Sequence, residues 1–560
     1  MTRLPVIASI GGISAAGRSS GHQAYRRLVL DRLPADTVAA THQALAALTN
    51  RPEAEAGELE AGTLIRGLED GGLVPAQLSR RGLVVSSAGQ LPAGFDAGGL
   101  YDARSHPRGL QMTVFAASDA INALGVGWEQ IRQRVAPDEI GVYAGSGLGQ
   151  LDYNGLGGLL QAQLLGGKVT SKQLALGYAE MPADFVNAYL LGNLGTTGTS
   201  VAACATFLYN LRQGVRDIQT GSHRLVIVGT SEAPLVPEVF DGFATMGALA
   251  DDEGLRQLDG LGAGELPDLR RACRPFGVNA GFTLAESAQF VVLMDDELAL
   301  ELGVDILGAV NEVFVNADGF KKSIASPGVG NYISMAKAAV ATRNVVGEVG
   351  LRERSYVHSH GTGTPQNRTT ESHIISATAR SFGIDAWPVA AVKAYLGHSL
   401  ATSAGDQLMA ALGAWAYGVI PGIATVDVVA DDVSQGNLEF LLEHREFEVG
   451  GMDAVIINSK GFGGNNASAS VLAPHVVEGM LGRRYGGRRM GVYRDKRVGT
   501  LERIAEYEAD MCAGRNRTLY EFDNDVLGGG DIVQDKSTMK IKGIEPVINL
   551  DIKNSYEDMC

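Results

Sequence analysis

One stretch constrains the fold more than any other. The small residues Thr199-Ser200-Val201-Ala202-Ala203-Cys204-Ala205-Thr206 lead directly into an amphipathic pattern. Beyond them the larger apolar residues fall at Phe207, Leu208, Leu211, Val215 and Ile218, the spacing of one helix face. Gly221 marks the stop, and Leu225-Val226-Ile227-Val228-Gly229 reads as a buried strand. A tight turn, a one-faced helix and a strand apolar on both sides together make the unit of a layered α/β fold. Further apolar runs at 6–10, 140–144, 356–360, 389–392 and 454–458 alternate with segments of helical spacing, although residue identities reveal no internal repeat. Residues 20–75 and 113–124 carry helical spacing, 11–17 reads as a turn, and 91–108 and the acidic stretch 251–268 read as loops.

The unit also places Cys204 at a helix N-terminus, where free amides and the helix dipole favour a thiolate. A well-placed terminus contributes up to about 2 kcal/mol, or roughly 1.5 pKa units, enough to bring a thiol near neutrality. The alternative reading is a buried structural cysteine. The 560 residues carry 45% hydrophobic and 20% charged side chains, as a large globular protein does. A net charge of −16 argues against a nucleic-acid partner. Four scattered cysteines with no CxxC argue against a disulfide framework or a zinc site and fit a reducing cytoplasm. The N-terminus turns glycine-rich before a signal core develops, and no stretch reaches the roughly 20 apolar residues of a membrane span.

Two histidines follow apolar strands: His360 opens His360-Gly361-Thr362-Gly363-Thr364-Pro365, and His398 closes Lys393-Ala394-Tyr395-Leu396-Gly397-His398. Strand ends on one sheet edge converge on one crevice, so Cys204, His360 and His398 can meet, the minimum set for nucleophilic catalysis. Taken singly, each histidine also suits a hydrogen-bonded core or surface position. His358 and His360 suggest a metal pair, but no third ligand has suitable spacing, and no metal is expected. Gly145-Ser146-Gly147-Leu148-Gly149 lacks the third glycine of a dinucleotide fingerprint, since Gln150 stands there. A rival reading takes Gly397-His398-Ser399-Leu400-Ala401 as a nucleophile elbow, with Ser399 attacking, Asp427 or Asp432 as acid and His444 as base. Ala401 in place of the last glycine weakens it. From about 475 the composition changes: Arg483, Arg484, Arg488, Arg489, Arg494, Lys496 and Arg497 crowd together, and 500–511 suits a short helix. The basic run suits either an acidic partner or a solvated, flexible tail.

Four stretches occur in order and at matching intervals: Ala202-Ala203-Cys204-Ala205-Thr206, the His360 loop, Lys393 through His398, and Asn458-Ser459-Lys460-Gly461-Phe462-Gly463-Gly464-Asn465-Asn466. Together they resemble the signatures of β-ketoacyl-ACP synthases, over about residues 1–473, and the N-terminal stretch and long tail are most similar to the extended FabY-type bacterial synthases. The resemblance implies a thiolase-like fold, with two similar α/β halves in five layers (αβαβα). It divides the chain into 1–298 with the nucleophilic cysteine, 299–474 with the histidine pair, and a C-terminal extension at 475–560. It implies an acyltransferase of fatty acid biosynthesis, elongating or initiating, that performs a decarboxylating Claisen condensation. Cys204 would carry the acyl group, and His360 and His398 would stabilise the enolate of malonyl-ACP, supported by Lys393. The Cys204 and Phe462 amides would form the oxyanion hole. Thr362, Thr364 and the gating Phe462 would hold the phosphopantetheine arm, with Glu371 as structural support. The implied partners are acyl carrier protein, an acyl thioester and a second copy in a homodimer. No cofactor is implied beyond that arm as substrate carrier. A ketosynthase of a polyketide or polyunsaturated fatty acid pathway shares the His360 loop signature. Arg368 stands where the family usually has Asp, which puts the local ion-pair network in doubt, and the 283–288 segment and the loop after His398 also depart from the family pattern.

Overall fold

A computed structural model describes residues 2–51, 62–68 and 83–560. The first half runs β1 (Pro5–Ser14), α1 (Ala35–Thr49), α2 (Arg108–Asn122), β2 (Ile140–Gly145), β3 (Thr196–Gly198), α3 (Thr206–Thr220), β4 (Leu225–Glu232), β5 (Ser287–Asp295) and α4 (Asp296–Leu302). The second runs β6 (Gly308–Ala317), α5 (Gly330–Glu353), β7 (Ser355–His358), α6 (Pro365–Ser381), β8 (Trp387–Ala390), α7 (Ser403–Tyr417), β9 (Leu438–Phe440), β10 (Ala454–Gly461) and β11 (Asn465–Leu472). A last helix, α8 (Pro474–Cys512), follows.

The strands lie in the order β3-β2-β4-β5-β1-β6-β11-β10-β7-β8-β9. Read outward from the antiparallel β1/β6 contact, each half begins with two antiparallel pairings and continues with parallel ones. The repeat hidden in residue identities is therefore explicit in topology. It is sharpest at α3 and α7. Each follows a 3-10 turn, Ala203–Ala205 or Leu400–Thr402, whose first residue has positive φ (49° at Ala203, 47° at Leu400). Each is 15 residues long and ends on a left-handed glycine, Gly221 or Gly418.

Layering follows from where apolar side chains point. In β1, Val6, Ala8 and Ile13 face one core while Ile7 and Ile10 face the other, so both faces of the strand are covered. Helix α2 lies on β1 and β5, and α5 lies on β6, β10 and β11. Between the halves, α3 packs on β4 and β6 while α7 packs on β10 and β5. The Phe207, Leu208, Leu211, Val215 and Ile218 face of α3 is fully buried, as its spacing predicts. The result is the expected thiolase-like sandwich of two half-sheets around a central helical layer.

Several local expectations change. The 11–17 turn is mostly strand: β1 continues to Ser14 and folds back as a hairpin onto Gly17–Arg18. The acidic stretch contains a helix, Asp252–Leu258, because Asp251 caps it by accepting from the Gly254 amide. Of the helical spacing at 20–75, Gln23–Leu28 and α1 are helices, while 52–61 and 69–75 lie outside the described residues. The short helix expected at 500–511 is the end of the 39-residue α8, bent at Gly486 (φ 75°). Its basic run is no loose tail: Arg484, Arg489 and Arg497 pair with Asp296, Glu297 and Asp305 on and beside α4. No helix among the described residues is long and apolar enough to cross a membrane.

The far end of α8 is pinned to the first half by a buried cluster. Arg18 beside β1 bonds Glu508 of α8 (2.5 and 2.8 Å) and Asp119 of α2 (3.3 Å), and the Tyr507 hydroxyl donates to Asp119 (2.8 Å). Burial disfavours the Arg18 charge, but the two carboxylates more than offset it and hold its pKa above the usual guanidinium value. Glu508→Ala strips the larger of those partners and is expected to destabilise the protein by about 3 kcal/mol in denaturant unfolding. A change within about 0.5 kcal/mol would mean that the cluster does not hold α8.

Candidate active site

The turn before α3 sets Cys204 in the middle layer, 7% exposed. Ser459 and Ser403 hydroxyls donate to its carbonyl (2.8 and 3.4 Å), and Thr206 stitches the turn by donating to the Ala203 carbonyl (2.7 Å). The 461–464 turn comes against it from β10. A side chain at Gly461 would stand 2.3 Å from the Ala202 carbonyl oxygen and 3.2 Å from the Cys204 amide, so only glycine admits this approach. In consequence the Cys204 and Phe462 amides both favour the Cys204 thiolate.

The second half supplies the histidines. His360 lies two residues beyond β7, and its loop is held by Glu371 of α6: Glu371 accepts from the His360 and Gly361 amides (2.7 and 2.9 Å) and from the side chains of Asn367 and Asn458 (2.8 and 2.7 Å). His398 precedes α7, and its ring centroid lies 5.3 Å from that of His360 at 87° and 5.2 Å from Phe282. Both Nδ1 atoms are buried without a partner, and neither Nε2 is buried or bonded. A buried N–H lacking an acceptor is costly, which favours the tautomer carrying the proton on Nε2, facing the cavity. Lys393, 2% exposed, donates to the His360 carbonyl (2.5 Å).

These side chains surround one cavity of about 540 Å³, lined by Cys204, His360, His398, Phe462, Thr362 and Thr364. The two threonine hydroxyls lie 3.0 Å apart on one wall. Lys393 and Glu371 stand behind the lining. The sequence missed Phe243 and Leu400 beside Cys204, and Asp318 and Lys321 in a segment along the wall. Phe282 also lines the cavity.

Burial dominates the electrostatics. It pushes the Cys204 thiol up to about 12, against the opposing pull of Lys393 and the two amides, so the expected near-neutral thiol is not what this site provides. The pull of Lys393 and the amides is outweighed. Burial, then the Lys393 charge, holds both histidines well below the usual imidazole range, so they are neutral. Burial brings Lys393 down to about 8, with Glu371 opposing.

The hydrolase elbow does not assemble. The Ser399 hydroxyl donates to Asp406 (2.5 Å), His444 pairs with Asp31, Asp427 with Arg271 and Asp432 with Arg368. Arg368 builds its own network, paired through two nitrogens with Asp432 (2.8 Å each) and bonded to Asn279 (3.0 Å). The Gly145–Gly149 run wraps Glu232, which accepts from Ser146 (2.6 Å) and the Gly147 amide (2.8 Å).

The chain matches two family descriptions: Beta-ketoacyl synthase, N-terminal domain, at residues 70–299, and Beta-ketoacyl synthase, C-terminal domain, at 307–427. It is 45% identical to the beta-ketoacyl-[acyl-carrier-protein] synthase FabY of Pseudomonas aeruginosa, over 94% of this chain and 95% of that one. The chain belongs to the β-ketoacyl synthase family. A crystal structure of the P. aeruginosa ketosynthase FabY superimposes with a TM-score of 0.95 at 42% identity, covering 100% of this chain and 99% of that one. A 3-oxoacyl-[acyl-carrier-protein] synthase 2 of Synechocystis is 28% identical over 59% of this chain and 74% of its own. A type II polyketide ketosynthase solved with its acyl-carrier protein aligns over 84% of this chain and 100% of that one, with a TM-score of 0.62; at 17% identity it shows the fold alone. The protein is thus a condensing enzyme of the acyltransferase class.

Iodoacetamide labelling of Cys204, followed by peptide mass spectrometry, is expected to accelerate about tenfold per pH unit from about pH 7 to 10 without levelling. A plateau near pH 7 would mean that the helix terminus outweighs burial.

Proposed function

We propose that the enzyme condenses a Cys204-bound acyl group with malonyl-ACP in fatty acid biosynthesis. The observation that carries this reading is that Cys204, Phe462 and two neutral histidines, His360 and His398, line one cavity. In the first half-reaction the Cys204 sulfur attacks the acyl thioester carbonyl, and the oxyanion sits between the Cys204 and Phe462 amides. The phosphopantetheine thiol departs with the proton that Cys204 gives up. In the second, the malonyl C–CO2 bond breaks, CO2 leaves, and its electron pair passes into the thioester enolate. His360 and His398 donate from Nε2 to the enolate oxygen. The enolate carbon then attacks the acyl carbonyl, the tetrahedral oxyanion returns to the amide hole, and the released Cys204 thiolate takes up a proton.

Lys393 raises the electrostatic potential behind both histidines without entering the cavity, and Glu371 keeps the His360 loop in place. Thr362 and Thr364 line the path of the phosphopantetheine arm, and Phe462 gates it; no cofactor beyond this arm is required. The reading places the enzyme in the cytoplasm with acyl carrier protein as partner, and as a homodimer. The sheet ends in the exposed edge β3, and residues 153–178 expose Tyr153, Leu160, Leu164, Leu165 and Tyr178, features that an interface covers. Fatty acid synthesis is favoured over the polyketide alternative because the relative matched along nearly the whole chain is FabY.

The test separates the half-reactions. Cys204→Ser is expected to abolish acyl transfer, while His360→Ala and His398→Ala each slow malonyl decarboxylation by about 100-fold or more. Condensation that survives Cys204→Ser would refute the assignment. Because Lys393 loses its proton near pH 8 rather than near its ordinary 10.5, decarboxylation is expected to decline as pH rises through about 8. A rate level to pH 10 would remove Lys393 from the reaction.

A further inference from the structure

His360 and His398 are held by different means. Neither ring has a hydrogen bond at Nδ1, but the His360 loop hangs on Glu371, whereas no carboxylate accepts from the His398 amide. Its backbone is paired instead with the segment before β5: the His398 amide donates to the Thr283 carbonyl (2.7 Å), and the Ala285 amide donates to the His398 carbonyl (3.1 Å). The residues just beyond both sides of this bridge meet at one carboxylate. Asp406, 2% exposed, accepts from the Ser399 hydroxyl at Oδ2 (2.5 Å), and at Oδ1 from the Ser287 hydroxyl (2.7 Å) and the Gln289 amide nitrogen (3.0 Å). Ser399 follows His398 directly, and Ser287 opens β5. The carboxylate therefore closes a ring around the histidine's backbone.

We propose that Asp406 is the positioning residue for His398, doing through Ser399 and Ser287 what Glu371 does for the His360 loop. Asp406 stands in the first turn of α7, where an acidic side chain ordinarily caps free amides. Its hydrogen bonds go instead to three side chains outside the helix, so capping does not account for the arrangement. The ring is under load: Leu400, two residues after His398, has φ 47°, a left-handed conformation that a leucine holds only when its surroundings impose it. Burial raises the Asp406 carboxyl to about 6, against its three donors and the Lys393 charge, so at neutral pH it is the carboxylate that three donors require. An acceptor-only group suits this node, because a neutral amide would turn a donor toward Ser399 or Gln289.

The inference rests on the proposed reaction, in which decarboxylation needs His398 and acyl transfer to Cys204 relies on the amide hole. Acylation of Cys204 by acyl-ACP is followed by intact mass, and CO2 release from malonyl-ACP is measured separately, in wild type, Asp406→Ala, Ser399→Ala and the double variant. In both single variants decarboxylation is expected to fall at least about tenfold while acylation changes by less than about threefold, with the double variant no worse than Asp406→Ala. Should Asp406→Ala fail to fold, Ser399→Ala alone reads the same difference. If Ser399→Ala slows both half-reactions equally, or neither, the positioning role is wrong and the reaction stands. If the wild type performs neither half-reaction, the proposed function falls and this inference with it.

Discussion

Everything in this active site depends on two helices beginning at the same place. Helices α3 and α7 occupy the layer between the half-sheets, and each starts from a 3-10 turn whose first residue is forced to positive φ. Those turns pack on each other, so Cys204 from one half and the chain just after His398 from the other share a wall. Internal symmetry supplies this meeting directly. Two copies of a strand–turn–helix unit, related through the central layer, bring their helix N-termini together without a connecting loop having to reach. The chemistry then arises from the difference between the copies, a thiol on one and a histidine on the other.

Central placement also sets the electrostatic terms of the site. A helix terminus contributes at most about 2 kcal/mol toward a thiolate, roughly 1.5 pKa units, whereas burial moves Cys204 upward to about 12. The resting nucleophile is therefore a thiol. In the proposed reaction its proton leaves only as the thioester is attacked, when the developing charge moves from sulfur to an oxygen between two amides. Burial likewise keeps His360 and His398 neutral, which makes them donors and not fixed cations. The Lys393 charge is withdrawn behind the lining and aimed at a carbonyl, while Lys321, Lys460 and Asp318 stand on the cavity wall.

Much of this was legible in the residues, for reasons that separate what was read from what was not. The α3 face and its Gly221 stop were readable because periodicity and a left-handed terminator are local properties. The signature loops were readable because their chemistry tolerates few residue types. Helix α8 was legible only over its last stretch, 500–511: the glycines and crowded like charges before it disfavour a helix, and it is held by Asp296, Glu297 and Asp305 and, at its far end, by Arg18. Those partners lie more than a hundred residues away. The repeat was hidden for a related reason, since topology preserves pairing and chain direction while side chains diverge with each half's role. The shift at Cys204 went the other way from the local argument, because burial is a property of the whole fold and is invisible from a helix start. Ser399 is the instructive rival. A serine after a strand and before a helix invited a nucleophilic role, yet its hydroxyl is engaged by Asp406.

The neutrality of the two histidines has a consequence for the proposed handling of malonate. A fixed cation at either histidine position would bind the malonyl carboxylate tightly and stabilise the ground state, raising the barrier to losing CO2. In the proposed reaction the thioester oxygen meets neutral donors at those positions, and the negative charge that appears on it is new to the transition state. Two Nε2 donors aimed at that oxygen interact more strongly with it than with the uncharged carbonyl it replaces, which is the differential binding that accelerates the step. Such donors help only when both are held in place before the charge forms, because reorienting a loosely held ring would consume the gain. That requirement accounts for the two buried carboxylates, Glu371 and Asp406, which touch neither the cavity nor each other and instead fix the backbone on which the histidines sit.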